Sequence, residues 1–331
     1  TGFIFDGFTI AYGNANGTGT LTVNSTTIER RGGGGIYNRE ATGSYSNLVV
    51  KNNAAKSDDD EFGGGGGVYN HQGSLKFTHC AFVSNHAETS NGGGMKNFTS
   101  SPEITDSYFG YNTSLSDDEG AGGMNNKTNS NAKLTNVVFE SNETNGSGGG
   151  VYNDESAPEL ENVLFINNRA GSCGGGMDTD NGSSAVLNNV TFTGNHADED
   201  GGGLYGWQSS ATLSNVTFLN NHADNNGGGM YNYNTCNPEL TNVIFTGNSA
   251  SNHYGGFGLE RNSTATLTNV LISRNTAVNN GGGLGAHDNH GSQATIISTN
   301  VTIVNNAAGN GGGGYDQGTT TQLRNSIIAG N

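Results

Sequence analysis

The feature that most constrains this chain is a period. An apolar residue that follows a run of glycines falls at Ile36, Val68, Met95, Met124, Val151, Met177, Leu204, Met230, Phe257, Leu284 and Tyr315, at spacings of 26 to 32 residues, most of them 26 or 27. A second mark, F-x-x-N, keeps the same period at Phe82, Phe109, Phe139, Phe165, Phe192, Phe218 and Phe245, with Val50, Ile272, Ile303 and Ile328 in place of Phe elsewhere. Self-similarity at this length is the mark of an architecture in which each unit buries its apolar face only against its neighbours.

The segments ahead of the second mark read "LTNVVF" at 134, "LENVLF" at 160, "LNNVTF" at 187, "LSNVTF" at 213 and "LTNVIF" at 240. They are short, rich in β-branched residues and bounded by Gly, Asn and Ser, which predicts strands. Helix is disfavoured, because the glycines would each cost one roughly 1 kcal/mol. Leu and Val are three apart while Val and Phe are two apart, so all three can face inward only if the chain bends at the intervening Asn. That residue recurs as Asn136, Asn162, Asn189, Asn215, Asn242, Asn269 and Asn300. Stacked amides there, and at the Asn of F-x-x-N, would hydrogen-bond from one coil to the next at roughly 4.8 Å.

The predicted fold is therefore all-β: a single-stranded parallel β-helix of about twelve coils of roughly 27 residues, counting the irregular sequence around Ile10 and Ile28 as one coil. At ~4.8 Å per coil it would form a rod ~58 Å long. Residues 1–331 read as one domain with no internal linker and no evident cap. Thr1 enters directly into coil-like sequence and Asn331 finishes the last F-x-x-N. The edges at either end are expected to pair with something, either a longer chain or further copies stacked end to end into a fibre.

Glycine runs also occur in phosphate-binding loops, but here Met, Tyr and Asn follow, never Lys with Ser or Thr, and no helix comes after them. "GGFGLE" at 255 imitates a calcium-binding nonapeptide only once and out of tandem. The glycines are expected to shape the turn into each strand and to allow close backbone approach between coils.

A net charge of −16, with 13 Lys and Arg against 29 Asp and Glu, argues against nucleic acid or an anionic membrane as partner. No run of 18 apolar residues predicts a membrane span, so membrane insertion is not expected. The three cysteines, Cys80, Cys173 and Cys236, do not make a disulfide framework.

Two motifs carry a family resemblance: the glycine run with its apolar residue ("GGGMYN", "GGGVYN", "GGGLYG") and F-x-x-N ("FTGN", "FLNN", "FINN"). The chain resembles the passenger domains of chlamydial polymorphic outer-membrane proteins and similar bacterial surface β-helix proteins. The resemblance implies a right-handed β-helix, extracellular or at the cell surface, used in adhesion. The third motif residue is Gly here where those repeats carry Ala.

Chemistry can be sought at positions that stack. Asp154 and Asp180 each lie three residues past a glycine-run anchor, with Asp178 beside them, and paired carboxylates are what a glycoside hydrolase uses. A lyase would add a basic residue, and Arg39 and Lys127 share that register on other coils. Tyr205 and Tyr231 directly follow their anchors and should point outward, with Trp207 and Tyr233 nearby, an aromatic surface on which sugar rings could stack. The same tyrosines also read as a purely stabilising ladder with Tyr37, Tyr69 and Tyr152.

Acid runs precede several glycine runs: Asp58, Asp59, Asp60 and Glu61; Asp117, Asp118 and Glu119; Asp198, Glu199 and Asp200. They are candidate Ca²⁺ ligands or a solubilising edge; no cofactor is required. His86, His196 and His222 recur in "NHAE" and "NHAD", but only His196 and His222 fall on neighbouring coils, with no third ligand evident. The expected function is a non-catalytic extracellular or cell-surface rod with an adhesive or structural role, meeting carbohydrate or a neighbouring cell surface. The alternative is a polysaccharide-acting enzyme using Asp154, Asp178 and Asp180.

Overall fold

The computed structural model of the protein describes residues 2–23, 26–56, 63–89, 92–117, 119–287 and 293–331, with backbone only at 23 and 26–29. These residues form a parallel β-solenoid with no helix among them. The chain divides into two compact units, residues 1–159 with 168–171 and residues 160–167 with 172–331.

In the first unit the glycine-run strands Ile36–Arg39, Val68–His71, Met95–Phe98, Met124–Lys127 and Val151–Asp154 pair in parallel, anchor opposite anchor. A second set of strands carries Phe82, Phe109 and Phe139, whose rings stack at 4.4 and 4.8 Å between centroids. The F-x-x-N amides make the predicted ladder: Asn53, Asn85, Asn112 and Asn142 each donate to the next Oδ1 at 2.9 to 3.0 Å. A further file, not foreseen from the sequence, lies two residues past the anchors. Asn38 donates to Asn70, Asn70 to Asn97, Asn97 to Asn126 and Asn126 to Asn153, at 2.8 to 2.9 Å. In-line amides satisfy one another because each carries both donor and acceptor, so the file can sit in the core.

The start of this unit corrects the coil count. Thr9–Ala11 pairs with Val49–Lys51 and Asn14–Ala15 with Ala54–Ala55, as a coil should. Ile28, however, lies in the antiparallel hairpin of Thr20–Val23 with Thr26–Glu29, so the sequence around Ile10 and Ile28 does not close a regular coil. With five glycine-run strands in this unit and six in the other, the regular coils fall short of twelve.

The second unit repeats the frame. Phe165, Phe192, Phe218 and Phe245 stack at 4.6 to 4.9 Å. Asn221 shows how completely the ladder is used: its N–H and Nδ2 both donate to Asn248 Oδ1 at 3.0 Å, and Nδ2 also donates to the Phe192 carbonyl at 3.0 Å. The predicted bend at the Asn between Leu and Val is a left-handed residue, with φ of 53 to 57° at Asn162, Asn189, Asn215, Asn242, Asn269 and Asn300. Asn tolerates this region better than other residues carrying a Cβ. Their exposed amides link Asn300 to Asn269, Asn269 to Asn242 and Asn242 to Asn215 at 3.1 to 3.2 Å. Leu213, Val216 and Phe218 are consequently all buried.

One coil explains the glycine triplet. Gly201 has φ of +67°, and a Cβ there would lie 2.7 Å from Tyr205 Cβ. A Cβ on Gly202 would lie 2.5 Å from the Gly228 carbonyl oxygen, and on Gly203 2.5 Å from the Gly229 oxygen and 2.8 Å from the Phe218 ring. The second and third glycines permit coil-on-coil approach; the first folds the preceding segment over the side chain that follows the anchor.

Candidate functional site

That covering segment decides which predicted site residues reach solvent. Along each glycine-run strand, alternation turns the residues one and three past the anchor away from the core. The first of these then lies under the chain leading into the glycines. Tyr231 is only 3% exposed, so its expected outward presentation as a ligand surface is not what the fold provides. Burial, with the nearby Glu260 and Asp200 charges, pushes its hydroxyl pKa well up. Tyr205 is half-buried, 6.0 Å from the Tyr231 ring, and its hydroxyl is likewise raised chiefly by burial. The ladder continues to Tyr254, 6.0 Å on, whose hydroxyl donates to Glu260 at 3.1 Å. In the first unit Tyr37 and Tyr69 adjoin, at 5.5 Å, before Lys96 and Asn125 take the same register.

Three past the anchors, Trp207 and Tyr233 stand opposite one another and are half-exposed. The Arg261 guanidinium sits over the Tyr233 ring, 4.8 Å from its centroid. Of the four aromatics singled out in the sequence, Tyr231 is buried, while Trp207 and Tyr233, like Tyr205, keep part of their surface exposed.

The carboxylates divide between the units. Asp154, in the first, faces Lys127 across the parallel pair, Oδ2 3.9 Å from Nζ, with 13% of its side chain exposed. The Lys127 ammonium also pairs with Glu119, which commits both to charge pairing. Asp178 and Asp180, in the second unit, stand opposite Tyr205 and Trp207. Asp178 is 1% exposed, beneath the covering segment, whereas Asp180 is half-buried. A polysaccharide chain could not touch Asp178 without displacing that segment.

Of the acid runs, Asp58, Asp59, Asp60, Glu61 and Asp118 lie outside the described residues. Asp117 is exposed and accepts from Asn145 at 3.4 Å. Glu199 accepts from Ser172 at 3.0 Å. Asp200 accepts the Asn226 N–H at 2.9 Å, and burial nevertheless pushes its pKa up to about 6. The three cysteines are buried and outside any disulfide, and Cys173, near Asp178 and Asp200, is raised well above the usual thiol range by burial first and those charges second.

The histidine pair gains a third ligand that the sequence alone did not make evident. His196 and His222 are aligned on the paired strands His196–Ala197 and His222–Ala223. Asp224 Oδ1 lies 3.1 Å from His196 Nε2 and 3.0 Å from His222 Nε2. Asp198 Oδ1 lies 3.6 Å from His196 Nε2. The signal was present as H-A-D: in extended chain, residues two apart share a face, so each His brings its Asp to the same side.

The coil geometry and its two marks define a class, the glycine-run and F-x-x-N parallel β-helix. Within it, residues 189–206 and 215–232 match the Chlamydia polymorphic membrane protein repeat. The chain thus carries a β-helix domain built of repeats like those of these membrane proteins. No curated protein matches the sequence. Among solved structures, the periplasmic alginate epimerase AlgG is similar over 89% of this chain and 75% of its own in a point-mutant form, at 10% identity and a TM-score of 0.48. A second structure of AlgG is similar over 87% of this chain and 77% of its own, at 10% identity and a TM-score of 0.44.

Proposed function

We propose that this chain is a non-catalytic β-helix of an extracellular or cell-surface protein, with an adhesive or structural role. What supports the reading is the way the second unit spends its side chains. Aromatic surface stays reachable at Trp207 and Tyr233 with Arg261 beside it, while Asp178 is withdrawn under the covering segment. Flat aromatic rings next to a guanidinium suit stacking on the faces of sugar rings and pairing with their acidic substituents. The likeness of two repeats to chlamydial membrane-protein repeats favours a surface location.

The test is to present the chain with a panel of acidic and neutral polysaccharides, following both retention and chemistry. Retention that weakens at least severalfold in Trp207→Ala and Tyr233→Ala, with no new reducing ends and no unsaturated products, is the expected result. Product formation abolished by Asp180→Asn would replace this reading with the enzymatic one.

A further inference from the structure

On one side of each coil runs a two-residue strand whose second residue faces the core, usually as alanine. Its first residue faces out. In the second unit these strands carry His196, His222, Ser249 and Thr276 in register. Two imidazoles therefore stack on adjacent coils, ring centroids 5.1 Å apart and planes at 68°.

We propose that His196, His222 and Asp224 bind a divalent transition-metal ion, with the Asp198 carboxylate beside His196 at the edge of the site. The ligating atoms of the first three all lie within 4.8 Å of one another. Metal–nitrogen and metal–oxygen bonds of about 2.0 to 2.2 Å in a tetrahedron place ligand atoms roughly 3.3 to 3.6 Å apart. Asp224 Oδ1 stands 3.1 and 3.0 Å from the two Nε2 atoms, which is close to that spacing before any metal draws them in. Two imidazoles with a carboxylate select Zn²⁺, Cu²⁺ or Ni²⁺ over Ca²⁺ or Mg²⁺, which prefer all-oxygen sites.

Orientation is built in. His222 Nδ1 lies 2.8 Å from Ser249 Oγ on the next coil. With Nδ1–H donating to that hydroxyl, the Nε2 lone pair points at the shared site, the usual way a second hydrogen bond fixes the ligating tautomer. The site is open to solvent: the side chains of His196, His222, Asp224 and Asp198 are 35, 38, 48 and 31% exposed.

The first unit supplies its own control. "HAE" at 86 has the same local pattern, but His86 is aligned with Ala54 on one side and Thr113 on the other. Its Nδ1 lies 2.7 Å from Thr113 Oγ1, and Glu88 pairs with Lys56 at 3.0 Å. A second imidazole is what that coil lacks.

An ion at the second-unit site would bridge two coils and stabilise the native state by mass action. The test is equilibrium dialysis and calorimetry of the untagged chain with Zn²⁺ alone, and the visible spectrum with Co²⁺. The account predicts one ion per chain, not displaced by equal Mg²⁺ or Ca²⁺, and lost in His222→Ala and in Asp224→Asn. His86→Ala should keep the full stoichiometry, and Ser249→Ala should weaken affinity roughly 10- to 100-fold through ring orientation. Because the four side chains are substantially exposed, the variants should melt as the parent does without metal, which separates loss of a ligand from loss of fold. No binding by the parent chain, or binding unchanged in the His196→Ala/His222→Ala double variant, overturns the proposal.

Discussion

The inward position two residues past the glycine-run anchor is filled differently in the two units. In the first, Asn38, Asn70, Asn97, Asn126 and Asn153 form an unbroken amide file. In the second, the same register holds Thr179, Gly206, Asn232, Leu259 and Ala286. Asn232 is the lone amide in that run, and its Nδ2 is buried with no hydrogen-bond partner among the described residues. Yet the Phe stack and the F-x-x-N ladder are the same in both units. The comparison teaches that these two files form the common frame, while the inner file is free to vary. Where it is broken, polar groups gather instead on the outer layer and the flank, as Asp178, Asp200, Glu260 and the His196–His222 pair.

The largest effect should come from the shared frame. Phe109→Ala in the first unit and Phe218→Ala in the second should each cost about 3–5 kcal/mol in chemical denaturation, the usual cost of emptying a buried aromatic site. Closely similar losses are expected, and a gap above about 2 kcal/mol would break the claim that the frame is common.

Asp200→Asn probes what is particular to the second unit. Its folded pKa, about 6, is raised above the ordinary 3.8, so the stability it confers is fully present below pH 3.8 and is lost as pH rises through about 6. Removing the titration should raise stability at pH 7 by up to about 3 kcal/mol, since each tenfold difference in proton affinity between the folded and unfolded chain is worth about 1.4 kcal/mol. Thermal melts at pH 4 and pH 7 would show the difference between parent and variant shrinking towards the acid side.

The inner file itself comes next. Asn97→Ala leaves the buried Asn70 Nδ2 donor and the buried Asn126 Oδ1 acceptor without their file partner and should cost about 2 kcal/mol, whereas Asn232→Ala removes an Nδ2 group already lacking one and should cost under about 1 kcal/mol. Equal costs would mean that the continuity of the file is energetically irrelevant. At the exposed corner, Asn242→Ala should stay within about 1 kcal/mol, because water can replace the amide partners, although the left-handed φ is less comfortable for alanine.

Much of the frame was legible because it rests on residue identity at fixed spacing. The unequal Leu, Val and Phe intervals required a bend at one Asn, and the coil has a left-handed residue there. Less of the outer layer could be read. Alternation turns Tyr231 away from the core, but nothing local tells that the chain entering the glycine run ahead of it folds over it; Gly227, whose φ is +66°, permits that cover. The inner amide file hid in plain "YN" pairs such as Tyr69 and Asn70, where the eye follows the aromatic residue. Asp224 is hidden for another reason: the repeat period pairs only the histidines of neighbouring coils, while the third donor lies two residues along the chain from His222.

Amide hydrogen exchange at the Asn of F-x-x-N tests the common frame most directly. The backbone N–H groups of Asn85 and Asn112 in the first unit, and of Asn195, Asn221 and Asn248 in the second, each donate to the next Asn Oδ1 at 2.9 to 3.1 Å. They should fall together in the slowest-exchanging class of both units, since opening any one requires parting two buried coils. Exchange at the rate of open loops in either unit would contradict the account.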